Sequence, residues 1–470
     1  MGNNGLIEIK NATIVNEGQI YNGNVYIKDG IIWAVENGER RAEKSVFSSQ
    51  ISVFRSIDAT GLILIPGVID THVHFREPGL TEKADIGTES RAAVAGGVTS
   101  YVDMPNTKPQ TTTMELLEEK VAIAAEKSMA NYGFMLGATN GNIDELLNAD
   151  PTKYAAIKLF LGSSTGDMLV NNPQALDKLF SQAKKLIVAH CEEEDIVQAN
   201  LRNFKMECAG TERETAALHP QIRTTEACYV STYKAIERAR KYKTRLHIAH
   251  ISTATELDLL SNMALDKKHV TAEVTPNHLW FDDRDYAELG NLIKCNPSIK
   301  RNEDRMALWA ALYDGLIDTI GTDHAPHTLE SKQRRYFDAP GGIPSIQHSL
   351  PMMLEPLFNN SYNAEEQKEF QDNWLPLIVK LMCHNPALLF GIEGRGFIRE
   401  GYKADLTLIK PGVENTVTKE GLLYKCGWSP VEGLTFHSRV EMTFVNGQIA
   451  YSHDNGIANS HNAERLVFNR

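Results

Sequence analysis

Cysteine is scarce in this chain and follows no pattern. Cys191, Cys208, Cys228, Cys295, Cys383 and Cys426 include no CxxC pair, so they offer neither a disulfide framework nor a thiolate metal site. They read as reduced thiols of a cytosolic protein. Long apolar runs are missing too. No stretch reaches the ~18 residues of a spanning helix, and MGNNGLIEIK lacks the charged-then-apolar order of a secretory signal. Leu6 stands where a myristoylation pattern needs Ser or Thr. A cytoplasmic address and no membrane partner are expected. Positive charge is in deficit, with 48 Lys and Arg against 60 Asp and Glu, a net charge of −12. With no basic stripe either, a nucleic-acid partner is not expected. Internal repeats and low-complexity tracts are also lacking.

What remains is a globular composition. Apolar residues make up 42% and charged residues 23%, which excludes a disordered chain. The 470 residues allow about three domains, or one large α/β barrel with a smaller companion. The first 60 residues read as short strands: IEIKNATIVN, QIYNGNVYIKDG and IIWAVE are rich in Ile, Val and Tyr and broken by Asn-Gly and Asp-Gly. GYKADLTLIK and RVEMTFVNGQIAYS near the other end have the same texture, with a hairpin signal at Asn446-Gly447. Neither stretch holds enough apolar residues for a core. The two ends are therefore expected to pair into one small β-sandwich domain, formed by residues 1–61 and 397–470.

Between them, residues 62–396 alternate apolar runs with helical patterns. The runs are 62–74, 99–105, 132–137, 155–161, 186–191, 245–251, 269–274 and 317–323. Segments such as TTMELLEEKVAIAAEK separate them, with apolar residues three and four apart. Eight strand–helix units predict a (β/α)8 TIM barrel, and near-continuous apolar strands suit a parallel sheet covered on both faces.

Chemistry-bearing residues sit at the C-terminal ends of these runs, where such barrels carry their active sites. The first run ends in Asp70-Thr-His72-Val-His74, and residues two apart on a strand face one side, so both histidines can grip one metal ion. The fifth run ends in His190 and the sixth in His250. The eighth ends in Asp323, followed by His327. A lone strand-end histidine is usually structural, and His247 and His278 are read that way. Four histidines and Asp323 at the ends of runs one, five, six and eight point to a metal site. Lys158 lies inside AAIKLFL, where an ammonium is costly to bury. It is either paired with a carboxylate, or snorkelling to the rim, or converted by carbon dioxide into an anionic carbamate able to bridge two cations. Arg76 keeps the parity of His74 if the strand continues. Its guanidinium is either a fork for a carboxylate or a rim group paired with Glu77 or Glu82.

GVIDTHVHFREPG, YVDMPNT, AIKLFLG, VAHCEE, HIAHIST, CNPSIK and GTDHAPH, in this order, resemble the amidohydrolase superfamily. Within it they are most similar to the cyclic amidohydrolases of the dihydroorotase family. GYKADLTLI and VNGQI match that family's returning β-domain. The resemblance implies two zinc ions. His72, His74 and Asp323 would hold the more buried one and His190 and His250 the second, with N6-carboxylated Lys158 and a shared hydroxide bridging them. Asp323 would serve as general base and then general acid. The reaction would be the reversible conversion between dihydroorotate and carbamoyl aspartate in pyrimidine biosynthesis. Arg76, Asn106 and His327 would form the carboxylate pocket, with His74 also facing the substrate. Asn296 and the backbone of Gly341 and Gly342 would contact the ring amides, although the glycine pair also reads as a flexible turn. Allantoinase and dihydropyrimidinase (hydantoinase), whose rings lack the carboxylate, are the alternatives, and a non-catalytic scaffold is a third. A homodimer or larger homo-oligomer is usual among such relatives. Segment 200–222 reads as a lid or as a helix with its lead-in, and the tail 453–470 supports no reading.

Overall fold

The computed structural model describes residues 5–37, 53–162, 168–358 and 364–469. Each of the eight apolar runs contributes a strand to a parallel cylinder. In order these are Val68–Val73, Val98–Asp103, Asn131–Phe134 with Leu136–Gly137, Ile157–Phe160, Ile187–His190, Leu246–Ile248, Val270–Val274 and Thr319–Ile320. Neighbours pair in chain order. A parallel bridge from Val73 to His324, and the His74 N–H bonded to the His324 carbonyl at 2.8 Å, join the eighth strand to the first. Helices bury their apolar sides against the cylinder and start at side-chain caps. Asp85 makes a capping box with Thr88 at the head of Ile86–Ala95, and Thr113 caps Met114–Lys127.

The two chain ends build a separate nine-stranded sheet. Leu6–Asn16 pairs with Gln19–Lys28, and Leu406–Thr416 pairs with Thr435–Val445. Ile63–Pro66 joins the halves, parallel to the first segment and antiparallel to the last. The Asn446-Gly447 turn has positive φ at both residues, the conformation a two-residue hairpin requires. Ile9, Ile14, Val25, Leu64, Leu406 and Phe444 form this sheet's own apolar core.

The run 62–74 is one apolar stretch in sequence and two strands in the fold. It breaks at Gly67, where the chain passes from the terminal sheet into the barrel. A Cβ there would meet the Thr99 side chain at 2.1 Å, so only glycine allows the approach. Segment 200–222 is the end of helix Glu194–Cys208, a connecting stretch and the short turns Ala216–Leu218 and His219–Ile222. The tail packs at the N-terminal ends of the barrel strands. The Leu466 N–H bonds the Tyr132 carbonyl, and Leu466 and Phe468 are buried with Ile69, Met135 and Val188. No helix among the described residues is long and apolar enough to cross a membrane. Replacing Phe468, 1% exposed, by Ala should cost about 3–5 kcal/mol of stability. A urea-unfolding midpoint equal to that of the parent would show that the tail merely rests on the barrel.

Candidate active site

Twelve residues singled out in the sequence line one cavity of about 250 Å³ at the C-terminal ends of the barrel strands. They are His72, His74, Arg76, Asn106, Lys158, His190, His250, Asn296, Asp323, His327, Gly341 and Gly342. Leu80, Lys83, Phe160, Ala325 and Pro340 complete the lining. Three of the twelve have the left-handed backbone that non-glycine residues avoid: Arg76 (φ 67°), His250 (φ 39°) and Asp323 (φ 48°). Each follows the end of a strand, and the sharp turn aims its side chain into the mouth. Strand parity therefore does not place Arg76, because the first strand stops at Val73.

A buried network fixes this rim. Asp70 accepts bonds from the His72 N–H, the Thr322 N–H and the Thr322 hydroxyl, tying the first strand to the eighth. Burial pushes its carboxyl up to about 6. His324 donates through Nε2 to Glu89 and accepts the Ser345 N–H at Nδ1, which locks the loop after Asp323. His247 bonds Thr271 and His278 bonds Thr275 and the Pro297 carbonyl, and neither lines the cavity.

The hydrogen bonds assign the tautomers at the centre. His72 donates from Nδ1 to Glu273 Oε1 at 2.5 Å, and His74 donates from Nδ1 to Asn106 Oδ1 at 2.7 Å. Both Nε2 atoms then face Asp323 Oδ1, at 3.3 Å and 3.0 Å. His190 donates from Nε2 to Glu192, which Arg223 also grips, so its Nδ1 lone pair lies 2.8 Å from His250 Nε2. His250 Nδ1 and Lys158 Nζ are buried without a hydrogen-bond partner. Burial holds His74 down to about 4 and Lys158 down to about 8. Burial raises the Asp323 carboxyl, but His72, His74 and Lys158 outweigh it and hold the group well below the usual carboxylate range. Imidazole nitrogens and a carboxylate that converge in this way suit a cation. Ligand atoms of His72, His250 and Asp323 lie within 4.8 Å of one another.

Part of the lining is cationic. The Arg76 guanidinium is buried and bonds the Pro326 carbonyl and His327 Nε2, both at 3.2 Å. Burial and the neighbouring Arg76 keep His327 neutral. Glu77 pairs with Lys127 instead, and among the described residues no carboxylate forms an ion pair with Arg76. Gly342 lines the cavity, but its N–H is given to the Lys294 carbonyl at 2.8 Å.

Sequence reasoning missed Glu273 and Glu192, the acceptors that fix His72 and His190. Both carried the signal used for the histidines. Glu273 is a carboxylate at the end of an apolar strand, and Glu192 lies two residues past His190. It also missed Trp428, whose indole N–H bonds the His327 carbonyl from the C-terminal segment.

The amidohydrolase family profile matches residues 63–450. The chain is 32% identical over 440 residues to a dihydroorotase of Methanosphaera stadtmanae, covering 92% of this chain and 94% of that protein. It is 30% identical over 459 residues to an allantoinase of Salmonella paratyphi B, covering 95% of each. Among solved structures it is similar to the L-hydantoinase (dihydropyrimidinase) of Arthrobacter aurescens. The TM-score is 0.87 at 25% identity, over 98% of this chain and 99% of that one.

Glu273→Ala removes the acceptor that fixes the His72 tautomer. It should weaken divalent-metal binding about 10–100-fold in competition with a chelator. Parent-like affinity would detach Glu273 from the centre.

Proposed function

The chain belongs to the amidohydrolase family and is a cyclic amide hydrolase, and from that premise we propose that it is a dihydroorotase. The reaction is the reversible conversion between (S)-dihydroorotate and N-carbamoyl-L-aspartate, a step of de novo pyrimidine synthesis. One observation carries the choice of ring. Arg76 is a buried cation on the cavity wall, and among the described residues it forms no ion pair. A buried charge left unpaired is costly, and a guanidinium fork matches a carboxylate in two parallel bonds. Dihydroorotate brings that carboxylate. The rings of allantoin and hydantoin do not.

The donor set fits two divalent cations, with zinc the ion that imidazole and carboxylate donors suit. His72, His74 and Asp323 would hold one and His190 and His250 the other. Lys158 would stand between them as its N6-carboxylated form. Its lack of a hydrogen-bond partner and its lowered pKa favour the neutral amine that combines with carbon dioxide. When bound, two such ions lower the pKa of water and polarise the amide carbonyl. Asp323 accepts the proton of the attacking water and returns it to the ring nitrogen as the C–N bond breaks. Arg76, His327 and Asn106 hold the carboxylate, and His74 borders the same space. Asn296 Oδ1, buried without a partner, is the acceptor for a ring N–H, and Gly341 presents backbone to the same face.

The test is turnover of dihydroorotate, allantoin and hydantoin by the purified protein. Dihydroorotate should be fastest, and faster turnover of allantoin would overturn the reading. Arg76→Met should cost about 2–5 kcal/mol of transition-state binding on dihydroorotate, seen as a fall in kcat/KM of ~30-fold or more. Lys158→Ala should abolish activity, with partial recovery in a short-chain carboxylic acid. Full activity of either variant would remove that residue from its role.

A further inference from the structure

The described buried lysines fall into two kinds. Lys120 pairs with Asp103 and Lys268 with Asp318, so their charges are matched by carboxylates. Among the described residues, Lys158, Lys185, Lys294, Lys300 and Lys332 form no ion pair. Lys332 is 1% exposed, and its ammonium donates only to backbone carbonyls: Lys294 at 3.0 Å, Pro340 at 3.1 Å and Gly342 at 2.9 Å. The Trp428 ring covers it at 5.8 Å. A charge satisfied by carbonyl dipoles alone is a costly way to stabilise a loop, and an apolar side chain would fill the space more cheaply.

What those carbonyls share is position. Lys294 lies two residues before Asn296, and Pro340 and Gly342 flank Gly341. The Gly342 N–H closes the same knot on the Lys294 carbonyl. Gly341 lies so close to Asn296 that a Cβ on it would stand 3.0 Å from the Asn296 amide nitrogen. Moving one segment therefore moves the other. Lys332 does not line the cavity, yet it clamps both segments that bring Asn296, Pro340, Gly341 and Gly342 to its lining.

We propose that Lys332 is a positioning residue for substrate. By pinning the 294–296 and 340–342 segments to one ammonium, it fixes Asn296 and Gly341 relative to each other and to His327, against which Gly342 packs. The proposal rests on this cavity being the substrate site, not on which ring fills it. It deepens the function proposed above.

The experiment compares Lys332→Met and Lys332→Gln with the parent. The substrate is whichever of the three rings the parent turns over fastest, so a failure of the dihydroorotate reading leaves this test intact. Both variants should keep the parent metal content. Lys332→Met should raise KM about 10–100-fold with kcat changed less than ~3-fold, the signature of substrate binding lost equally in ground and transition state. Lys332→Gln, which still donates to two carbonyls, should fall between. Amide exchange at Gly341 and Gly342 should quicken in the same order. Folded variants with parent KM, or kcat and metal content falling with KM unchanged, would overturn the proposal. So would failure of both variants to fold, which would make Lys332 a stabilising residue only.

Discussion

Two imidazole nitrogens and one carboxylate oxygen, all donors for a cation, meet within 3.3 Å. That arrangement is electrostatically incomplete, and the rest of the barrel mouth is arranged to hold it so. Glu273 and Asn106 take the outward protons of His72 and His74 and so point the inner nitrogens at Asp323. Glu192 does the same for His190. Asp70 and Thr322 tie the two strands that carry these groups. The left-handed turns at His250 and Asp323 cost about 1–3 kcal/mol each and are sustained only by this surrounding network.

Charge is distributed across the cavity with the same economy. One wall offers lone pairs and invites cations. Another part of the lining offers the Arg76 guanidinium and invites an anion. A molecule carrying a cyclic amide at one end and a carboxylate at the other satisfies both. The neutral His327 fits this division, since a second fixed cation beside Arg76 would repel it. Behind the walls, Lys332 and Lys294 bind carbonyls of the loops that close the site.

Much of this was legible in the sequence because strand-end residues are held by local pattern. His72, Lys158 and His190 lie on strands of the eight apolar runs, and His74, His250 and Asp323 follow strand ends by one to three residues. Their meeting in one cavity follows from barrel closure. Other features depend on residues distant in sequence. Hydrophobicity merged two strands at Gly67, because both are equally buried. Strand parity suggested an inward Arg76, but a turn and not a strand delivers it. Phe468 gave no signal, since its partners are distant in sequence, at Ile392 in a backbone bridge and at Met135 and Ile69 in the same buried cluster. Glu273 and Lys332 act through other residues, and such roles have no local spacing to read.

The most direct measurement is a crystal structure of the zinc-loaded protein with anomalous data collected at the metal edge. The account predicts two peaks, one beside His72, His74 and Asp323 and one beside His190 and His250. Planar density for three further atoms should extend from Lys158 Nζ toward both. A bare Lys158 ammonium with no peak among these histidines would contradict it.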